Sequence, residues 1–323
     1  MKAEIEVQYA SSAAKTSARS QRRKEITANL RKYWPLYVMA LPGLIWFAVF
    51  RYIPMGGSII AFQDYNVFKG ITGSPFVGLK HFQHFIQFPE FLQILKNTLL
   101  INLYDILFAF PAPIILALLL NEVGKMAFKR TIQTIVYMPH FLSWVIIGGI
   151  FINLLSPETG LVNHFIKALG YDPIYFMAKT EYIRSILVGS GVWRDVGWGT
   201  IIYLAAIAGI NPSLYEAAAV DGASRLRQVF VITLPSLLPT IMILFLLQIG
   251  NFLDFGFERV WVFMNGLNRE NADIFDTYIY RAGLLNAQFS YTTAIGLFKS
   301  VVGLILLVTC NKLSKKLTGN GLY

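Results

Sequence analysis

Six stretches of the 323-residue chain are long and apolar enough to cross a lipid bilayer, and no other feature narrows the possible folds as far. A hydrocarbon core about 30 Å thick is spanned by roughly 20 residues of helix. Inside it every backbone N–H and C=O must be bonded within its own segment, so apolar runs of this length specify a bundle of helices. The runs lie at 36–53, 98–120, 132–155, 183–209, 236–254 and 289–309. Composition agrees, with 55% hydrophobic and only 14% charged residues, too apolar for an ordinary soluble domain. The expected fold is an all-α integral membrane protein with six transmembrane helices. Residues 1–35 form a basic N-terminal tail, 36–309 the spanning domain and 310–323 a C-terminal tail.

An even number of spans puts both termini on one side, and the basic residues say which. The N-terminal tail carries Lys2, Lys15, Arg19, Arg22, Arg23, Lys24, Arg31 and Lys32; loops on that face add Lys125, Lys129, Arg130, Arg225 and Arg227, and the C-terminal tail adds Lys312, Lys315 and Lys316. The opposite loops hold half as many: Lys69, Lys80, Lys96, Lys167, Lys179, Arg259, Arg269 and Arg281. An excess of Lys and Arg marks the cytoplasmic face, so both termini are expected there. The net charge of +10 is accounted for by this asymmetry without invoking nucleic acid. The tail is longer than the basic region of a signal peptide, so the first run is expected to be retained. A single cysteine, Cys310, excludes an internal disulfide and a thiolate metal cluster.

Between the fourth and fifth runs the chain reads "EAAAVDGASRLRQVF", residues 216–230, a polar interlude inside the cytoplasmic segment 211–235. Asn211 suits an N-cap, Pro212 a first helical position, and Gly222 a stop. A short helix, a bend and a second helix are expected. Leu226, Val229, Phe230 and Thr233 fall on one face of the second helix, with Arg225, Arg227 and Gln228 turned away. Pro235 is expected to close it, and Asp221 either stands exposed or caps the second helix. From the residues alone, an amphipathic hairpin lying on lipid competes with a docking element for another protein.

The wording of this loop resembles the EAA loop of permease subunits in ABC importers, carried by Glu216, Ala217, Ala218, Asp221, Gly222, Ala223, Arg225, Phe230 and Pro235. Leu226 stands where many relatives have tryptophan. Further stretches, "LPGLIWFAVFRYIPMGGSIIAFQDYN", "GSPFVGLKHF", "WRDVGWGTIIYLAAIAGI" and "DTYIYRAGL", are similar to the LplB-type branch of carbohydrate-uptake permeases and extend the likeness over nearly everything after the tail. The resemblance implies the type I importer permease fold in a bacterial inner membrane. It further implies a second homologous permease subunit, two ATPase subunits and an extracytoplasmic solute-binding protein as partners, and an oligosaccharide as substrate, an acidic, alginate-like one included. In that family the loop docks in a groove of the ATPase, so Glu216 is expected to meet a basic residue there and Gly222 to set the angle between the helices. This chain has no G-x-x-x-x-G-K-[ST] sequence, so ATP and magnesium are expected on the partner ATPases, with no cofactor and no catalysis in this chain.

Several ionisable residues lie inside the apolar runs. Arg194 is 11 residues in from Ile183, roughly 16 Å at ~1.5 Å per residue; Lys299 is similarly deep, and Asp105 and Asp254 sit nearer the outer end. A charge at the bilayer centre costs about 2.5–3.5 kcal/mol on insertion scales, so such groups face a partner or a wet cavity. Two readings stand. In one, Trp193, Arg194, Trp198, Asn102, Asp105, Asn251, Asp254 and Lys299 line a sugar path, where indoles stack on pyranose rings and cations meet carboxylates. In the other, Arg194 or Lys299 neutralises Asp105 or Asp254. Arg194 and Asp195, as sequence neighbours, are expected not to cancel each other. Gly189, Gly191, Gly197 and Gly199 suit close helix contact or a kink. His81 and His84 have no third ligand and read as surface residues, leaving no metal site. A self-sufficient secondary transporter and a permease for a non-sugar solute are the alternatives.

Overall fold

In a computed structural model the structure describes residues 29, 31–253 and 256–318, so most of the basic tail, together with Asp254, lies outside the described residues. Among them there is no strand, only an isolated bridge between Gln63 and Phe76. Four helices are long and apolar enough to cross a membrane, or six if each of two bent pairs counts as one span.

The chain divides into two units at Ile59 and Ile60. All but the last three residues of helix α1 (Arg31–Phe62) belong to the first, its apolar side chains exposed from Tyr33 to Met55. The second unit begins with α2 (Lys80–Gln87) and α3 (Phe91–Glu122). It continues with the pair α4 (Met126–Phe141) and α5 (Trp144–Leu154), then α6 (Leu161–Ala168). The second bent pair follows, α7 (Thr180–Ala208) and α8 (Pro212–Val220), and after it α9 (Arg225–Gly250). The outer segment α10 (Phe257–Phe263), the short α11 (Phe275–Ile279) and the terminal α12 (Phe289–Thr318) complete it.

Two expected spans are corrected. The run 132–155 is not one straight helix: α4 and α5 meet at 106°. Pro139 draws the last turn of α4 into 3-10 form, Leu142 and Ser143 are extended, and the Ser143 hydroxyl accepts from the Ile146 N–H to start α5. No Asp, Glu, Lys or Arg falls between 132 and 155 on either side of this bend, which is why the run reads as continuous. The fifth helix begins at Arg225 rather than 236. Pro235 does not close a separate amphipathic helix; a π-helical turn at Val229–Thr233 precedes it. In that wider turn the Leu234 N–H reaches back five residues to the Val229 carbonyl.

Helix α7 is the hub of the second unit. Ile183, Ile186 and Leu187 pack with Ile101 of α3 and with Val260 and Phe263 of α10. More than four turns further on, Tyr203 and Ile207 meet Ala117 of α3 and Leu237 of α9. A third cluster, Phe85, Ile94, Phe275, Tyr278, Tyr291 and Ile295, ties α2, α3, α11 and α12 together. Helix α7 is unbroken, so its glycines make contacts rather than a kink. At Gly197 a Cβ would stand 2.0 Å from the Val136 carbonyl oxygen, and at Gly191 2.4 Å from the Arg259 guanidinium, whereas at Gly189 it would meet nothing.

Candidate functional site

A cavity of about 490 Å³ lies between α3, α4, α7 and α9, within the roughly 300–1,000 Å³ of ordinary ligand pockets. Of the residues expected on a substrate path, Asp105, Arg194, Trp198 and Asn251 line it. Three others do not. Trp193 packs edge-on against Phe151 with ring centroids 5.6 Å apart. Asn102 is buried and donates to the Thr98 carbonyl of its own helix. Lys299 is buried against Asp276 of α11.

The charges are paired, with partners other than those expected. Asp105 binds Arg259, whose Nη1 and Nη2 donate to its two carboxylate oxygens at 3.1 and 2.6 Å. Arg259 lies outside the six apolar runs, in an expected outer loop, yet both side chains are only 2% exposed, and Nη1 also donates to the Leu187 carbonyl. Arg259 reaches in because α10 folds back against α7, where Gly191 leaves room for the guanidinium. The signal available in the sequence was its apolar setting, "FERVWVF".

Arg194 and Asp195 do pair, at 3.1 Å, against expectation. Consecutive Cβ atoms diverge by about 100° on a helix, but the arginine side chain is long enough to curl round to its neighbour. His140, at the end of α4, completes the group: its Nδ1–H donates to Asp195 Oδ1 at 2.8 Å. Its ring lies parallel to that of Trp198, 4.5 Å away and tilted by 3°. The Arg194 guanidinium also sits over the Trp144 ring at 4.9 Å, a cation–π contact that fixes its position. The signal of His140 in the sequence is a lone imidazole in an apolar run beside Pro139.

A second cavity, about 660 Å³, opens at the loop that joins α7 to α9 and is lined by Glu216, Ala219, Arg225 and Gln228 together with Glu122, Lys129 and Gln133. Asn211 caps α8 through its side chain, with Pro212 next, as expected. Gly222 has φ +74°, a left-handed conformation that glycine takes at little cost. The N-cap of α9 is Ser224, which accepts from the Arg227 N–H; Asp221 instead ends α8 and is exposed. Glu216, Ala217 and Arg225 are exposed, Ala218 and Ala223 half-buried. The expected apolar face of the second helix is split, since Thr233 is buried while Leu226 and Phe230 are exposed. Tyr215 and Thr233 share a hydrogen bond of 2.9 Å, stitching α8 to α9, and Arg225 lies 3.6 Å from Glu122 of α3.

At the other end of the unit, His81 is not a surface residue but a cross-link, with Nε2 3.0 Å from Asp64 Oδ1, while His84 packs edge-on against Tyr291. No group of three metal-ligating side chains occurs among the described residues.

Residues 109–318 match the profile of the family described as binding-protein-dependent transport system inner membrane component. The polygalacturonan/rhamnogalacturonan transport system permease protein YteP of Bacillus subtilis (strain 168) is 48% identical over 94% of this chain and 95% of its own. Protein LplB of the same organism is 47% identical over 92% of this chain and 93% of its own. Among solved structures, a chain of a bacterial alginate ABC transporter in complex with an alginate pentasaccharide-bound periplasmic protein superposes with a TM-score of 0.84 at 41% identity, covering 91% of this chain and 98% of that one.

Proposed function

The chain belongs to the family of binding-protein-dependent transport system inner membrane components, and we propose that it forms one half of the path by which an ATP-driven importer carries an acidic oligosaccharide across a bacterial inner membrane. One observation carries this reading: α7 and α9, which line the central cavity, are the helices that continue into the loop bearing Glu216, Asp221 and Gly222. A force applied at the loop is therefore applied to two walls of the cavity. The named substrates of the relatives, polygalacturonan and alginate, support the acidic class.

In this reading α1, α3, the bent pair of α4 and α5, α7, α9 and α12 are the six spans, both termini lie in the cytoplasm, and a second permease subunit completes the cavity. A solute-binding protein delivers the sugar from outside. Two ATPase subunits bind ATP with magnesium, and one of them receives α8 and the start of α9. Closure of the ATPases moves the loop, and the cavity changes between outward- and inward-facing states. Nucleotide shifts that equilibrium only by the difference in its affinity for the two states.

The test is uptake of labelled oligogalacturonate and oligoalginate into proteoliposomes holding this chain with its co-expressed permease and ATPase subunits. Uptake that requires the binding protein outside and ATP inside supports the proposal. Uptake by this chain alone, driven by an ion gradient, would overturn it in favour of a secondary transporter.

A further inference from the structure

Resting on that reading, we propose that Arg194 is the group in this subunit that takes the carboxylate of a passing uronic acid unit, with Asp195 as the resident anion it exchanges and His140 as the arm that holds Asp195 during the exchange.

Arg259, Lys299 and Arg194 differ in what they have left to offer. Arg259 gives both terminal nitrogens to Asp105 and is 2% exposed, so it is already committed. Lys299 lies against Asp276 and does not line the cavity. Arg194 lines the cavity with its side chain 22% exposed. Its hydrogen bonds all run from Nη1 to one carboxylate, and its Nε is buried with no hydrogen-bond partner among the described residues. A guanidinium can grip two carboxylate oxygens through two nitrogens. Asp195 occupies one nitrogen only, at 3.1 and 3.4 Å, so the fork is under-used.

The surroundings fit a sugar acid. Trp144 beneath the guanidinium keeps it in place when the resident carboxylate turns away. The parallel rings of His140 and Trp198 stand beside it, and Trp198 is 45% exposed, an aromatic surface on which a pyranose ring can stack. Asp195 also has a second donor: the 2.8 Å bond from His140 keeps it hydrogen-bonded after it leaves Arg194, so the exchange leaves its carboxylate with a partner. A site that trades one carboxylate for another binds selectively yet weakly, because the incoming bond replaces an existing one. Conduction through a pathway needs that combination.

The experiment measures binding of trigalacturonate and of its carboxyl-reduced, uncharged form to the full complex in nanodiscs, read from tryptophan fluorescence. The wild type is expected to prefer the acid by about tenfold, equivalent to ~1.4 kcal/mol. Arg194→Gln should bring the ratio of the two affinities close to one, Arg194→Lys should restore part of it, and Asp195→Asn, which removes the resident competitor, should raise it above wild type. Co-purification of all subunits establishes that each variant assembles, and the opposite sign expected for Asp195→Asn separates a lost subsite from a damaged fold. No preference in the wild type, or a ratio unchanged in both Arg194→Gln and Asp195→Asn, overturns the subsite and leaves the importer reading standing. Binding of neither sugar overturns the oligosaccharide reading, and the subsite with it.

Discussion

Replacing Asp105 by leucine takes the carboxylate away from the Arg259 guanidinium in a place where both side chains are 2% exposed. Removing one partner of a buried pair costs about 3–5 kcal/mol, because the remaining charge has been moved out of water without its counter-ion. The lower end applies here, since the Leu187 carbonyl continues to accept from Nη1. Arg259→Met alone should cost a similar amount by stranding the carboxylate. In the double variant no charge of the pair remains, and exchange of a buried ion pair for apolar groups is often neutral or stabilising by about 1–4 kcal/mol. The assay is the fraction of the purified permease–ATPase complex that stays monodisperse after heating, measured for wild type, both single variants and the double variant. Two damaged single variants and a double variant near wild type are expected. Single variants as stable as wild type would refute the argument, because they would mean that the pair is hydrated and the packing of α10 against α3 and α7 does not depend on it.

Gly197→Ala would press a methyl group to 2.0 Å from the Val136 carbonyl oxygen and 2.9 Å from the Tyr137 nitrogen; backbone cannot swing aside, so α4 and α7 must part, at a cost of about 1–3 kcal/mol, visible in the same thermal assay. Gly189→Ala, with nothing within 4 Å, is the control and should be silent. Outside the spans, the hydrogen bond from Lys80 and the nearby His81 hold the Asp64 carboxyl below its usual range. Its contribution to holding residues 60–81 is therefore complete above about pH 4 and is lost as the pH falls through its lowered value. Protection from hydrogen exchange in this segment, taken relative to the intrinsic rate at each pH, should fall on acidification below pH 4 in wild type, and that added response should vanish in Asp64→Asn.

The helical class was legible because backbone satisfaction in lipid leaves so few choices, and the loop was legible because its caps are local: Asn211, Pro212 and the left-handed Gly222 act on their immediate neighbours. The bend at Leu142–Ser143 was not, since lipid-compatible residues flank it on both sides. Pairing of charges was anticipated in kind but not in partner. Arg259 and Asp105 are 154 positions apart and meet only because α10 returns to the bundle, a tertiary event with no periodic signature. Arg194 and Asp195 failed in the opposite way, because helix geometry fixes Cβ directions and a long side chain escapes them. Trp193 and Trp198 differ by a little more than a turn, yet one packs on Phe151 and the other lines the cavity; which face is inside depends on the neighbours of α7, not on its sequence.

In the proposed mechanism the helices lining the cavity are driven through the loop at Glu216. This is tested most directly by oligogalacturonate-stimulated ATP hydrolysis in the reconstituted complex, with wild type compared with Glu216→Lys. Glu216 is exposed beside a groove of about 660 Å³, so reversing its charge should spare the fold of this chain. Stimulation lost in the variant, with every subunit still co-purifying, is the result the account predicts. Hydrolysis that responds to the sugar as in wild type would contradict it.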